Sequence, residues 1–487
     1  MNLEAARARE ALAAVAYREE DWPSAAGHFE EAVRLGLDTP NVHAGLGTAY
    51  MFLGRTRDAI SEYQLALERH AQWPIVASNL IFLLDHQPET TLESALKIRK
   101  TYQKLFEAPL RDRWRPHPND PDPERPLRIG YVSGDFRAHS AAAGILPILF
   151  GHGPGYRPVC YYAHNIEDET VKEFEAQTEF HRVVGLTEAQ LAAKIREDAI
   201  DVLVDLSGHS AKNRLITFCL RPAPVQVTGF GYATGTGLRC MDGFFADAVT
   251  VPPTLAARGY VEPILRLPAI APYAPSPWSE QPAPLPCLSR DVFTFGSFNR
   301  WLKITPAVLD LWAQILAAVP GSRMILKEKA FEAQAVREEV LQAFARRGVG
   351  AERVEFRFWT SHRLHLQTYD EIDLALDPFP HSGGITALDG FHRGVPAVTL
   401  LGERVPERLS ASYSILMGLP WLVTRTPAEY AQVTIALTTE KGRARLVEIR
   451  ATLQRQVENS PLCVDYAASV EAHYRALWRA WCQRSRR

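Results

Sequence analysis

Apolar positions in the first hundred residues recur at helical spacing, and the pattern then repeats itself. Ala59, Tyr63 and Ala66 stand 34 positions after Ala25, Phe29 and Ala32, and Leu46 stands 34 after Leu12. That is the period of the paired-helix tetratricopeptide repeat. The clearest copy runs from Asn41 to Pro74: Leu46, Gly47 and Tyr50 share one helix, Gly54 marks the turn, and Ala59, Tyr63 and Ala66 lie on the next. Small residues at Gly47, Ala59 and Ala66 let the helices approach, and the two tyrosines fill the space between. A degenerate third copy over about residues 77–106 is expected to cap the stack. An ordinary helical bundle is the plainer alternative, and on either reading this part binds rather than catalyses.

From Pro109 to Pro126 six prolines interrupt any regular element, which predicts a linker. The rhythm then changes. Leu127 to Ser133, Val159 to Ala163, Ile200 to Leu206 and Val225 to Phe230 are short β-rich runs separated by helix-forming segments such as Glu188 to Glu197. A second stretch with eight prolines, Pro263 to Pro286, precedes a restart of the same alternation. Strands are predicted at Phe293 to Phe298, Arg323 to Lys327, Val354 to Phe358, Leu374 to Asp377 and Ala397 to Leu400. Helices are predicted near Pro306 to Val319, Phe331 to Arg347, His362 to Glu371, Thr386 to Arg393 and Pro406 to Met417, with a last amphipathic helix from Asp465 to Cys482. Alternation of this kind builds parallel sheets covered on both faces. The expected α/β architecture is therefore two doubly wound Rossmann-like lobes, 127–288 and 289–460. An all-α repeat segment (1–108) and a proline-rich linker (109–126) precede them, and a C-terminal helix (461–487) follows.

Length and composition agree with this division. A chain of 487 residues calls for about three domains, and 46% hydrophobic residues supply their cores. Net charge is −2, which gives no global attraction to nucleic acid or anionic lipid, so neither is an expected partner. The six cysteines lie far apart without a Cys-x-x-Cys pair and read as core thiols of a reducing compartment. No signal-peptide core or membrane-length apolar run is present, and a cytoplasmic location is expected.

Candidate chemistry concentrates where predicted strands end. In LALDPFPHSGGITALDGFHRGVPAVTLL, residues 374–401, a strand, a turn through Gly383 and Gly384, and a helix starting near Ile385 and Thr386 form an anion site, because free amides and the positive helix end point at the ligand. A diphosphate fits such a site, and Asp389 one turn on is placed to accept from ribose hydroxyls; a tight turn with a solvated aspartate is the plain alternative. In FGSFNRWLKITP, residues 295–306, a strand end leads to Asn299, Arg300 and Lys303 before a helix opened by Thr305 and Pro306. Lys303 is the favoured electrostatic catalyst for a departing diphosphate, against the alternative of a solvated surface lysine. His139 in GDFRAHS and His209 in DLSGHSAKNR follow first-lobe strands; each is either an acceptor-side acid–base group or a satisfied structural histidine. The loop GFGYATGTG, residues 229–237, lacks the dinucleotide fingerprint and is expected to line the cleft. The lone Asp-x-Asp, Asp120-Pro121-Asp122, falls in the linker, and His362 and His365 have no evident third partner, so neither a metal nor a resident cofactor is expected.

Taken together, RIGYVSGDFRAHS, IDVLVDLSGHSAKNRL, LRPAPVQVTGFGYATGTG, FTFGSFNRWLKITP, LDPFPHSGGITALDGFHRGVPAVTL and GERVPERLSAS resemble the O-linked N-acetylglucosamine transferase and SPINDLY group from Leu127 nearly to the C-terminus. The resemblance implies a GT-B fold and an inverting, metal-independent transfer of N-acetylglucosamine from its UDP donor to serine or threonine of proteins. It sets Lys303 on a lysine that contacts the diphosphate, His365 on a histidine that contacts the nucleotide, and Asp389 on an aspartate near the ribose. Thr386 and the turn before it fall on the diphosphate-cradling helix start, and His139 and His209 on acceptor-side histidines; it names no general base. Gly384-Ile385-Thr386 departs from the hydroxyl-rich run of relatives, and Arg300 replaces an amide residue of some of them, which leaves donor preference open. The same resemblance admits a SPINDLY-like fucosyl transfer from GDP-fucose, and a non-catalytic repeat adaptor is the reading from a different class. Expected partners are the nucleotide-sugar, a protein or peptide acceptor, and a protein on the repeats.

Overall fold

The computed structural model describes residues 2–276 and 281–486. Residues 277–280 of the second proline-rich stretch lie outside the described residues.

The N-terminal segment is a stack of antiparallel helices: α1 (Leu3–Arg18), α2 (Trp22–Arg34), α3 (Pro40–Phe52), α4 (Thr56–Arg69), α5 (Pro74–Leu84) and α6 (Leu92–Tyr102). Capping side chains start several of them, with Asp21, Thr39 and Thr91 each accepting from the amide three residues on. Ala59, Tyr63 and Ala66 are wholly buried, and a Cβ added at Gly47 would come 2.8 Å from the Tyr63 ring, so the small residues do set the helix separation. The last pair ends the stack against the first lobe rather than in solvent: Ile81 and Tyr102 share a core with Val132, Leu203 and Phe218. Beyond α6 the chain continues in irregular helical turns to Arg113. The proline-rich segment that follows is strapped down, since Trp114 Nε1 donates to the Cys219 carbonyl (2.8 Å) and Arg125 forks onto Asp201 (2.6 and 2.9 Å).

Two parallel sheets carry the rest. The first comprises β1 (Leu127–Ser133), β2 (Tyr156–Tyr162), β3 (Glu179–Arg182), β4 (Val202–Asp205), β5 (Val225–Thr228), β6 (Gly243–Ala246) and β7 (Ile264–Arg266), in the order β3-β2-β1-β4-β5-β6-β7. The second comprises β8 (Thr294–Ser297), β9 (Arg323–Lys327), β10 (Val354–Arg357), β11 (Leu374–Leu376), β12 (Ala397–Leu400) and β13 (Val423–Thr424), in the order β10-β9-β8-β11-β12-β13. This is the two-lobed GT-B arrangement. Runs buried on both faces (β1, β4, β5, β8, β9) were legible as strands, whereas β3, β7 and β13 are short, polar or at an edge and carry no such signal; β6 is buried on both faces and was not read from the sequence. Strand order reverses between β1 and β4 in one lobe and between β8 and β11 in the other, and such switch points are where parallel sheets open a crevice at their carboxyl ends.

The chain crosses between lobes twice. The connector around Tyr273 is the first crossing; after the helix Glu440–Glu458, residues near Leu462 make the second, and Tyr273 N–H donates to the Leu462 carbonyl (2.9 Å). The helix Tyr466–Ser485 then lies on the first lobe: Glu471 meets His152 (2.9 Å), and Trp478 Nε1 donates to the Asp122 carbonyl (2.9 Å). Trp478 is fully buried, stacked on Trp481 and beneath the Arg125 guanidinium. Trp478→Ala is expected to cost about 3–5 kcal/mol at this contact. The measurable outcome is earlier proteolytic release of the C-terminal helix on heating, with the circular dichroism of the remaining chain retained.

Candidate active site

The two switch points hold most of the chemistry-bearing residues. After β1 comes His139; after β8 come Asn299, Arg300 and the single turn Trp301–Lys303; after β11 come Asp377 and the loop to the helix Ile385–His392. The carboxylate of Asp377 shapes that loop, accepting from Gly383 N–H (2.7 Å) and Thr399 Oγ1 (2.6 Å). Burial pushes Asp377 up to about 6 despite those bonds. A Cβ at Gly383 would come 2.9 Å from Asp377 Oδ1, so only glycine fits there, whereas one at Gly384 would meet nothing within 4 Å. Gly384 is the N-cap and offers no side-chain acceptor, leaving the first amides of the helix, at Ile385 and Thr386, without one.

Lys303 reaches into this loop. Its Nζ donates to the Ser382 carbonyl at 2.7 Å, and burial lowers its pKa to about 8, with Asp377 acting against the shift and Arg300 adding to it. Thr386 Oγ1 donates to Asn299 Oδ1 (3.1 Å), which ties the strand end after β8 to the helix start after β11. Asp389 is buried; its Oδ1 accepts from Tyr273 (2.8 Å) and its Oδ2 lies 3.9 Å from His362 Nε2, whose pKa is raised by that carboxylate. His365 packs edge-on to Phe298 and Tyr369, and burial lowers it to about 4, so its ring is neutral at pH 7. Across the crevice Arg300 NH2 lies 3.1 Å from His139 Nε2, a contact between the lobes. The Ala141 amide lies 3.2 Å from the other ring nitrogen, Nδ1, and burial keeps this imidazole below its usual pKa.

The profile of glycosyl transferase family 41 matches residues 110–270 and 285–470. The chain belongs to this family. The probable UDP-N-acetylglucosamine–peptide N-acetylglucosaminyltransferase SPINDLY of Arabidopsis thaliana is 36% identical over 402 residues, covering 78% of this chain and 43% of that protein. The probable UDP-N-acetylglucosamine–peptide N-acetylglucosaminyltransferase SEC of the same plant is 28% identical over 377 residues, with 73% and 37% covered. The chain thus spans less than half the length of these curated relatives. A solved structure of a point mutant of the Thermobaculum terrenum O-GlcNAc transferase superposes with a TM-score of 0.89 at 32% identity, covering 99% of this chain and 92% of that one.

One expected site residue of this family-41 chain stands elsewhere. His209 does not open on the crevice: it has no exposed surface, its Nε2 donates to the Thr236 carbonyl (2.9 Å), and its Nδ1 accepts from Ser78 of α5 (3.1 Å). Burial drives its pKa to about 3, so it is a neutral joint between helical segment and first lobe and has no nitrogen left for acid–base work. The far end of the loop at 229–237 behaves alike, because Arg99 of α6 donates to the Gly235 carbonyl (3.0 Å) and a Cβ at Gly237 would strike its stem, while the ring of Tyr232 earlier in the loop lies 6.4 Å from that of His381. Sequence reading missed Tyr273 and His381 and weighed His362 only as a metal ligand; Asp389 and its helix gave no sign of Tyr273, while His381 stood in plain view inside the quoted loop. Among the described residues the grouping Glu179, His181 and Asp198 could hold a cation, but it lies at edge strand β3 with Glu179 already on Arg128 (2.8 Å) and Asp198 on Tyr161 (2.7 Å). No helix among the described residues is long and apolar enough to cross a membrane.

With Lys303 protonated below about 8, and Asp377, Arg300, His86 and His381 as its ionisable neighbours, affinity of the loop for added pyrophosphate is expected to fall as pH rises through that value. Calorimetric titration across neutral and alkaline pH checks this, and the decline should vanish in Lys303→Met.

Proposed function

We propose that this chain transfers N-acetylglucosamine from UDP-N-acetylglucosamine to serine or threonine of a protein, with inversion and without a metal. The observation that carries the reading is the ammonium of Lys303 fixed 2.7 Å from the Ser382 carbonyl, beside the uncapped start of the helix Ile385–His392. A nucleoside diphosphate against that helix start receives backbone donors and a cation together. Family membership and the printed names of the relatives support the donor and the acceptor class.

In the reaction the acceptor hydroxyl attacks the anomeric carbon from the face opposite the diphosphate, and the proton it loses passes to solvent. The carbon–oxygen bond to the β-phosphate breaks, its electron pair stays on the phosphate oxygen, and Lys303 with the amides at Ile385 and Thr386 stabilises the charge that develops there. Cation and helix end occupy the place a divalent ion takes in other diphosphate sites, which is the reason for a metal-independent mechanism. Asp389, with one oxygen held by Tyr273 and the other toward His362, is the acceptor for ribose hydroxyls, and His365 lies on the nucleotide side. His139 is the acceptor-side group of this reading: it is neutral near pH 7 and stands at the crevice boundary.

Purified chain incubated with labelled UDP-N-acetylglucosamine and a serine-containing peptide is expected to turn over equally with and without EDTA. Lys303→Ala should lower kcat by about 10²–10³-fold, the usual effect of removing one transition-state donor. Undiminished turnover by Lys303→Ala would contradict its role, and tighter competition by GDP than by UDP would contradict the donor.

A further inference from the structure

The turn after α5 enters the donor site. His86, just beyond Leu84, lies face to face with His381 of the donor loop, ring centroids 4.3 Å apart and planes at 20°. Both rings are almost completely buried. His86 Nδ1 donates to the Phe82 carbonyl (2.8 Å), which fixes the ring on its own helix end. His381 Nδ1 donates to the Ser382 carbonyl (3.1 Å), and that carbonyl also receives the Lys303 ammonium. One oxygen therefore joins the histidine stack to the lysine.

The surrounding contacts hold this turn from three sides. Arg404 of the second lobe donates to the carbonyls of Leu84 (3.3 Å), Asp85 (3.2 Å) and Gln87 (3.1 Å). Asp85 is bound by Arg99 (2.6 Å) and by Tyr232 of the first lobe (3.0 Å), and the Tyr232 ring lies 6.4 Å from that of His381. A second helical turn bears on the residues just before the lysine. Gly54, at φ +75°, sits so close to Trp301 that a Cβ would come 2.6 Å from the indole, and Leu302 packs into the core of α1–α5. The two residues preceding Lys303 are thus seated on the helical segment.

We propose that His86, carried by the helical segment, is a positioning residue of the donor site that holds His381 and, through the shared Ser382 carbonyl, the ammonium of Lys303. The assignment rests on the reading of this crevice as a diphosphate site. It changes the role of α1–α6: they complete the site as well as offering a surface to a protein. The two stacked imidazoles are also part of what keeps water from Lys303, whose charged and titratable neighbours are Asp377, Arg300, His86 and His381, with Arg404 bearing on His381.

The test reads Lys303 directly and needs no turnover. Competitive acetylation of the full chain with acetic anhydride, followed by peptide mass spectrometry, gives the pH at which the Lys303 amine becomes reactive. In the wild type this is expected at about 8. His86→Ala opens the stack to water, favours the ammonium, and should move the midpoint up toward the 10.5 of an ordinary lysine. His86→Phe keeps the aromatic face and should leave it near its wild-type place. An unmoved midpoint in His86→Ala, or equal shifts in both variants, overturns the proposal. Should His86→Ala fail to fold, His381→Ala removes the same stack from the other side and must show the same upward shift. Wild-type chain without transferase activity would sink the proposed reaction, and the labelling would still decide this inference.

Discussion

A single peptide carbonyl, that of Ser382, is the point on which the proposed donor site depends. A lysine at the end of a flexible stem does not stay in one place, and a cation surrounded by apolar groups loses its proton or leaves for water. Here the ammonium is kept by an oxygen whose own position is fixed by Asp377 on one side and by the Ser382 side chain and amide on Pro406 on the other. Partial burial lowers the pKa and sharpens the electrostatics at once, because the same loss of water that weakens the ammonium strengthens its pull on an anion. The group is therefore charged at neutral pH while remaining only partly compensated by the protein.

Much of this was legible from the chain. The β-rich runs of β1, β4, β8 and β9 are continuous and apolar because both faces are covered, and the loops after β1, β4 and β8 stand at the sheets' switch points for topological reasons. Lys303, Gly383, Gly384, Thr386 and Asp389 were readable because strand end, glycine turn and helix start are adjacent in sequence. His209 misled for the same reason: it too follows a strand at a switch point, but its ring turns away toward α5, a contact between residues 131 positions apart that no local pattern announces. The stack of His86 on His381 and the bond from Tyr273 to Asp389 were hidden in the same way.

The helical segment shows the limit of reading a repeat as a module. Its 34-residue period was plain, and the spacing of Ala59, Tyr63 and Ala66 accounts for how its helices pair. The period says nothing of the turns, and it is the turns, at Gly54 and at residues 84–87, that touch the second lobe. Side chains that define a repeat face its neighbours in the stack, so those that join the stack to something else fall at positions where the repeat pattern is silent.

The paired crossings between the lobes carry a mechanical meaning. Because Tyr273 and Leu462 are bonded main chain to main chain, with Cys463 Sγ adding a contact to the Tyr273 carbonyl, the two connections behave as one flat ribbon. Any change in the angle between the lobes would have to be taken up where the chain crosses, so both crossings would deform together. The hydroxyl of Tyr273 rests on Asp389, which places the paired crossing within one side chain's reach of the crevice.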